Sequence, residues 1–294
     1  MIIVTAIVTG IAVLLAGNLP WAGFGRIAGL AALNFSHWTS VPWALLPMTA
    51  YLWIYWRVIG GRWGFDAGRA YLRANPLTTR VWAAALAAGS LGFVCLLVLL
   101  ALAARLVVLP DSAPITTPEG MPLLTGVLLL AMQSVVAGVS EEAAFRGYMQ
   151  SMIEREHGVV LAILINGTFF GLLHFGNHPR DVLLMLPYYI AVSAVYGGLT
   201  WAADSILPAV VLHSVGAIVV LTRWWLTGIP EWQLSRTPPA SVWTHGADAV
   251  FIMLTVASTV LVASTLAAYR AVHRLRLGSP PFERAGLDSH RSED

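Results

Sequence analysis

At residues 139–149 the chain reads VSEEAAFRGYM: two adjacent glutamates, then an arginine four residues after the second, inside a run of Leu, Val and Ala. On a helix Glu142 and Arg146 share a face and can neutralise one another. Glu141 then has no partner in its own helix. Two neighbouring carboxylates in low dielectric do not ionise with equal ease, so the one beside the arginine stays the anion and the other is free to exchange a proton. A carboxylate of that kind is a general base. Two imidazoles lie on later apolar stretches. In NGTFFGLLHFGNH, Asn166, Phe170, His174 and His178 recur at a spacing of four, on one helix face. PAVVLHSVGAIVV carries His213, with Ser214 beside it. A water activated by a carboxylate and held by one imidazole, with a second imidazole meeting the developing oxyanion, is a set of parts suited to amide hydrolysis.

These groups are expensive where they stand. An Arg or Asp at the centre of a spanning helix costs about 2.5–3.5 kcal/mol, and each Leu or Val returns only about 0.3–0.6 kcal/mol. A purely structural reading accounts for Glu142 and Arg146 as a neutral pair and for a lone histidine as a packing residue. It leaves Glu141 unexplained, and two histidines with a glutamate pair favour chemistry.

The elements that must position them are membrane spans. Of 294 residues 57% are hydrophobic and 11% charged, against about 25% charged in an ordinary soluble domain. Apolar stretches of the length a helix needs to cross a bilayer, about 20 residues, recur along the chain. The fold expected is an all-α polytopic membrane protein, a bundle of eight helices around an intramembrane polar cavity, with spans at 2–19, 41–59, 82–109, 121–150, 159–177, 182–202, 205–227 and 246–271. The short first span, read as retained, and the stretch FGRIAGLAALNF leave seven or nine open. One transmembrane domain is expected: N-terminal helices over 1–115, a core over 120–220 and a flexible tail over 272–294.

Seventeen cationic residues, all arginine, oppose fifteen acids, a balance that gives no reason to expect nucleic acid as a partner. Arg57, Arg62, Arg69, Arg73 and Arg80 cluster between the second and third spans; Arg270, Arg274, Arg276, Arg284 and Arg291 follow the last. An even number of spans puts both clusters and both termini on one side, and the positive-inside rule makes it cytoplasmic. A hairpin turning near 154–158 would bring Glu141 level with His174. His213 lies about eight residues into its span, about 12 Å from the surface at 1.5 Å per residue, so all three can meet at one depth. Cys95 is alone in an apolar run, a buried structural thiol. Trp53, Trp56, Trp224, Trp225 and Trp243 suit aromatic belts, and Ala84, Ala88 and Gly92 suit close helix packing.

With these residues in view, the chain resembles the CPBP (Abi, CAAX-protease-like) family of intramembrane proteases. EEAAFR is similar to its EExxxR motif, FGLLH to its FxxxH motif, and His213 to the histidine of its third motif. The resemblance spans about 120–220 of this sequence. It implies an intramembrane endopeptidase acting on a membrane-associated protein or peptide. In that reading Glu141 activates water, Glu142 is its essential neighbour, Arg146 closes the motif, His174 helps hold the water and His213 meets the oxyanion. The family's third motif continues to Asn or Asp at the fourth residue, where this chain has Ala217; Asn166, Asn177 or Ser214 are candidate replacements and Phe170 a candidate substrate contact. A metal-free glutamate mechanism needing no cofactor is the favoured reading. The competing one is a zinc site on Glu141, His174 and His213. Partners expected are membrane lipids and the substrate. Two rival functions stand beside the protease: a catalytically silent membrane partner or immunity protein, motivated by Ala217, and a proton-coupled transporter.

Overall fold

The computed structural model describes residues 1–22, 42–63, 67–174 and 181–278, which form helices and their connections, with no strand among them. The helices are α1 (Ile2–Ala22), α2 (Leu45–Ile59), α3 (Ala67–Tyr71), α4 (Thr79–Leu106), α5 (Leu123–Glu141), a π-helical segment (Glu142–Met149), α6 (Gln150–Leu173), α7 (Val182–Ala203), α8 (Leu207–Thr227), α9 (Val242–His245) and α10 (Ala249–Leu277). Among the described residues six helical stretches are long and apolar enough to cross a membrane: α1, α4, the continuous stretch Leu123–Leu173, α7, α8 and α10. The chain is a multi-pass helical membrane protein.

The stretch Leu123–Leu173 is a hairpin. Gly158, at φ 80° and ψ 164°, breaks α6 with backbone angles that suit glycine alone. The chain returns on itself, so that the Phe145 and Phe170 rings meet edge-on at 5.1 Å. The turn falls where the EREHG sequence places it. The expected span at 41–59 is cut down to the 15-residue α2, short of the roughly 20 residues a full crossing takes. Pro42 precedes it and Gly60–Gly61 end it. FGRIAGLAALNF lies outside the described residues.

Helix packing sets the depth of each group. α5 and α8 run antiparallel, with Gly126 against Trp225 at one end and Gly138 against Ser214 at the other. α1 crosses the π-helical segment and α5: a Cβ on Gly10 would meet Met149, and one on Gly17 would meet Ser140 at 2.5 Å. α2 clamps α1 through the Tyr55 hydroxyl, which donates to the Val13 carbonyl at 3.0 Å, and through Tyr51, which donates to the Ala16 carbonyl. α4 packs through the Ala84–Gly92 small-residue face, with Gly89 against Leu199 and Leu212 and Gly92 against Tyr269.

One end of the bundle is tied by ions. Arg73 pairs with Glu154 at 3.0 Å and with Asp204 at 2.8 Å, and Arg276 reaches the other Asp204 oxygen at 2.8 Å. The two arginine-rich stretches therefore share one face. α10 continues through Leu277, into the stretch 272–294 expected as a flexible tail, and Arg276 near its end is paired with Asp204. The rest of the expected flexible tail, 279–294, lies outside the described residues.

Candidate active site

The π-helical segment is the structural basis of the site. Its i→i+5 bonding replaces the α pattern over Glu142–Met149, a local irregularity frequent at functional sites. All eight of its residues are buried. Glu142 and Arg146 are fully buried and paired at 3.1 Å. Arg146 Nη2 also donates to Ser193 Oγ on α7 at 3.1 Å. Its guanidinium lies 4.9 Å from the Phe170 ring centroid, 5.5 Å from Tyr196 and 5.8 Å from Phe145. A buried arginine is thus wrapped in aromatic faces, which offset part of its lost hydration.

α8 closes the cluster. His213 Nδ1 sits 2.7 Å from Glu142 Oε1, and its Nε2 sits 3.7 Å from Glu141 Oε2. Since a carboxylate only accepts, Nδ1 carries a proton, while Nε2 faces Glu141. The His213 ring lies flat on Tyr196, centroids 5.1 Å apart and planes within 9°. Glu141 is the more open of the two glutamates, 17% exposed against 0% for Glu142. It is directed to a cavity of ≈ 340 Å³ that Phe170, His174, His213 and Ala217 also line.

His174 enters the same cavity from the end of α6. Its Nδ1 is 2.7 Å from the Phe170 carbonyl, so that nitrogen is the donor and Nε2 the acceptor. Its ring stacks on Tyr189 at 5.0 Å and tilts against Phe170 at 4.5 Å. The cavity thus brings Glu141, His174 and His213 to one chamber. Glu142 is the direct partner of His213.

Two candidates fall elsewhere. Asn166 is fully buried, is not part of the cavity wall, and donates from Nδ2 to the Phe145 carbonyl at 2.8 Å; it serves the π-helical backbone. Ser214 is packed against Gly138 across the α5–α8 contact, its Oγ 2.2 Å from where a Cβ would stand, and it too is absent from the cavity wall. Neither stands where an oxyanion donor would act. Asn177 and His178 lie outside the described residues. The residue types of a zinc site are present, but among the described residues no group of three or more His, Cys, Asp and Glu side chains is arranged to hold a metal ion. The nitrogen of His213 nearest a carboxylate is spent on Glu142.

Sequence reasoning did not single out Ser193, Tyr189, Tyr196, Asn18 or Gln133, all of which contact the cluster or line the cavity. They come from helices α1, α5 and α7, and an aromatic or amide in a span carries no motif by itself. Tyrosines at 189 and 196, seven apart on α7, are the one periodic signal that could have pointed to a cavity face.

Residues 123–219 match the Rce1-like family, described as Type II CAAX prenyl endopeptidase Rce1-like. This stretch is Rce1-like. The Rce1-like segment runs from α5 into α8 and contains Glu141, Glu142, Arg146, His174 and His213. It agrees with the CPBP resemblance drawn from EExxxR, FxxxH and His213, and over that stretch the chain is similar to CAAX-protease-like proteins. α1, α2, α4 and α10 lie outside the matched segment. Neither a curated protein nor a solved structure matches the chain.

Proposed function

We propose that this protein is an intramembrane endopeptidase that hydrolyses a peptide bond of a membrane-associated protein or peptide with a glutamate-activated water. The observation that carries the proposal is the shared cavity: a partly open carboxylate, Glu141, faces the chamber that two imidazoles line, beside a neutralised ion pair. In this reading Glu141 takes a proton from water and the resulting oxygen attacks the scissile carbonyl carbon. The tetrahedral intermediate collapses as the C–N bond breaks, and Glu141 returns its proton to the leaving nitrogen. His174 Nε2, with Nδ1 tied to a carbonyl, accepts from the water and holds its lone pair toward the substrate. Glu142 accepts the Nδ1 proton of His213 and favours the imidazolium form, whose Nε2–H then donates to the oxyanion. Arg146 keeps Glu142 anionic for that task. No step runs through a metal.

The arginine-rich face of the bundle is proposed to be cytoplasmic, with both termini on that side of the cell membrane. Membrane lipids and an apolar peptide segment are the partners of such a cavity. One observation favours a second reading, a catalytically silent membrane partner: Ala217 lines the chamber where the family carries Asn or Asp, and losing one oxyanion donor costs about 10²–10³ in rate. Purified protein in liposomes with quenched apolar and farnesylated peptides separates the two. Cleavage by the wild type, lost in Glu141→Gln and His174→Ala and insensitive to a strong chelator, supports the endopeptidase. No cleavage of any peptide supports the silent partner, and chelator inhibition supports a metalloenzyme.

A further inference from the structure

A peptide drawn out of helical form into this chamber brings bare backbone amides with it. The wall is apolar over Leu96, Val136, Val220 and Leu221, with polar side chains set among them at Asn18, Gln133, Glu141, His174, His213 and Glu231. An N–H left unpaired there would oppose binding. α1 supplies an answer that lies outside the Rce1-like segment. Asn18 lines the chamber, and its Nδ2 donates to the Leu14 carbonyl at 3.1 Å and to Ser140 Oγ at 3.1 Å. Ser140 is the residue before Glu141, and its hydroxyl is itself committed to the Val136 carbonyl at 2.7 Å.

Both amide hydrogens of Asn18 are therefore spent. A flipped amide would set Oδ1 against the Leu14 carbonyl, acceptor to acceptor, so the orientation is determined by that carbonyl. What remains for the chamber is Oδ1, an acceptor. The placement is rigid: Gly17 lets α1 approach Ser140 as closely as 2.5 Å from the position of its missing Cβ, and Tyr55 pins Val13. A second carboxamide continues the same wall. Gln133, also in the chamber, has a buried Oε1 with no hydrogen-bond partner. It stands eight residues before Glu141 on α5, about 12 Å along the axis at 1.5 Å per residue. An extended strand, whose N–H groups on one side recur about every 7 Å, crosses that separation in a little under two repeats.

We propose that Asn18 is a substrate-binding residue, its Oδ1 accepting a backbone N–H of an extended segment next to the scissile bond, with Gln133 receiving the same strand further along. The ligand class is an unwound apolar peptide; a helical one has no free N–H to give. This rests on the endopeptidase reading, and the test keeps the two apart by reading binding without turnover. A fluorescent apolar peptide is titrated into the Glu141→Gln protein in nanodiscs, alone and combined with Asn18→Ala or Gln133→Leu. The same titration is repeated with depsipeptides in which each non-scissile N–H in turn is replaced by an ester oxygen.

The expected result is about tenfold weaker binding for Asn18→Ala, the order that one unpaired buried donor costs. One ester position should weaken binding about as much in Glu141→Gln and not further in the Asn18→Ala combination. Equal affinity with and without Asn18, or no sensitive ester position, overturns the proposal. Should Asn18→Ala fail to fold, the ester scan on Glu141→Gln decides alone. Cleavage by the wild type reports separately on the endopeptidase reading.

Discussion

Removing Arg146 should damage this protein more than removing Arg146 and Glu142 together. The two side chains are fully buried and 3.1 Å apart. At that distance, with an effective dielectric of about 20, the attraction is about 5 kcal/mol. Arg146→Leu leaves a buried carboxylate whose Oε2 has no partner and whose Oε1 keeps only His213. Breaking a buried pair from one side costs about 3–5 kcal/mol. Glu142→Leu strands the guanidinium instead, although Ser193 and three aromatic rings still surround it, so its cost should fall at the lower end of that range. The double variant Glu142→Leu/Arg146→Leu removes both charges, and replacing a buried pair by apolar groups is often neutral. Reversible unfolding in mixed micelles with a rising fraction of SDS measures all four proteins. A coupling of about 3 kcal/mol or more is expected, with the double variant stable and without activity because His213 has lost its orienting carboxylate. Additive losses, or a coupling under about 1 kcal/mol, would refute the buried pair as described.

Three further outcomes follow from the geometry. Gly138→Ala places a methyl 2.2 Å from Ser214 Oγ and 3.2 Å from the Val210 carbonyl, so α5 and α8 must separate; a loss of about 1–3 kcal/mol in the same unfolding assay should accompany a fall in activity, since His213 moves with α8. Tyr196→Phe keeps the ring stacked on His213 and should retain activity, whereas Tyr196→Leu should lose up to about tenfold, the value of about 0.5–1.5 kcal/mol for such a pair; equal kinetics for the two would contradict this. Outside the spans, the Arg105 hydrogen bond at 2.8 Å, helped by the Phe251 N–H, holds the Asp248 carboxyl below the ordinary Asp value of 3.8. A depressed folded value stabilises above the unfolded one and is lost as pH falls through the folded one. The difference in unfolding temperature between wild type and Asp248→Asn should therefore be constant near neutral pH and shrink below about pH 3.8.

The parts of the fold legible in the sequence are those written in composition and local breakers. Apolar runs gave the spans, Gly158 and its polar neighbours gave the hairpin turn, and counting residues from that turn brought Glu141 and His174 to one chamber. α2 misled at its start alone: the apolar run reads on from residue 41, yet the helix begins at Leu45, past Pro42, and ends at Ile59 where expected. The π-helical segment left no local trace: EAAFRGYM is as compatible with an α-helix. Asn166 and Ser214 were attractive as donors by residue type alone, yet one serves the Phe145 carbonyl and the other a helix crossing. Pairing between helices explains why His213 meets Glu142, and no spacing rule within one helix contains that information.

The central claim is that Glu141 activates the water that enters the product. Cleavage of a quenched apolar peptide in ¹⁸O-water under single-turnover conditions tests it directly. The account predicts one ¹⁸O in the new carboxyl terminus with wild type and no product with Glu141→Gln. Labelled product formed at the wild-type rate by Glu141→Gln would contradict it.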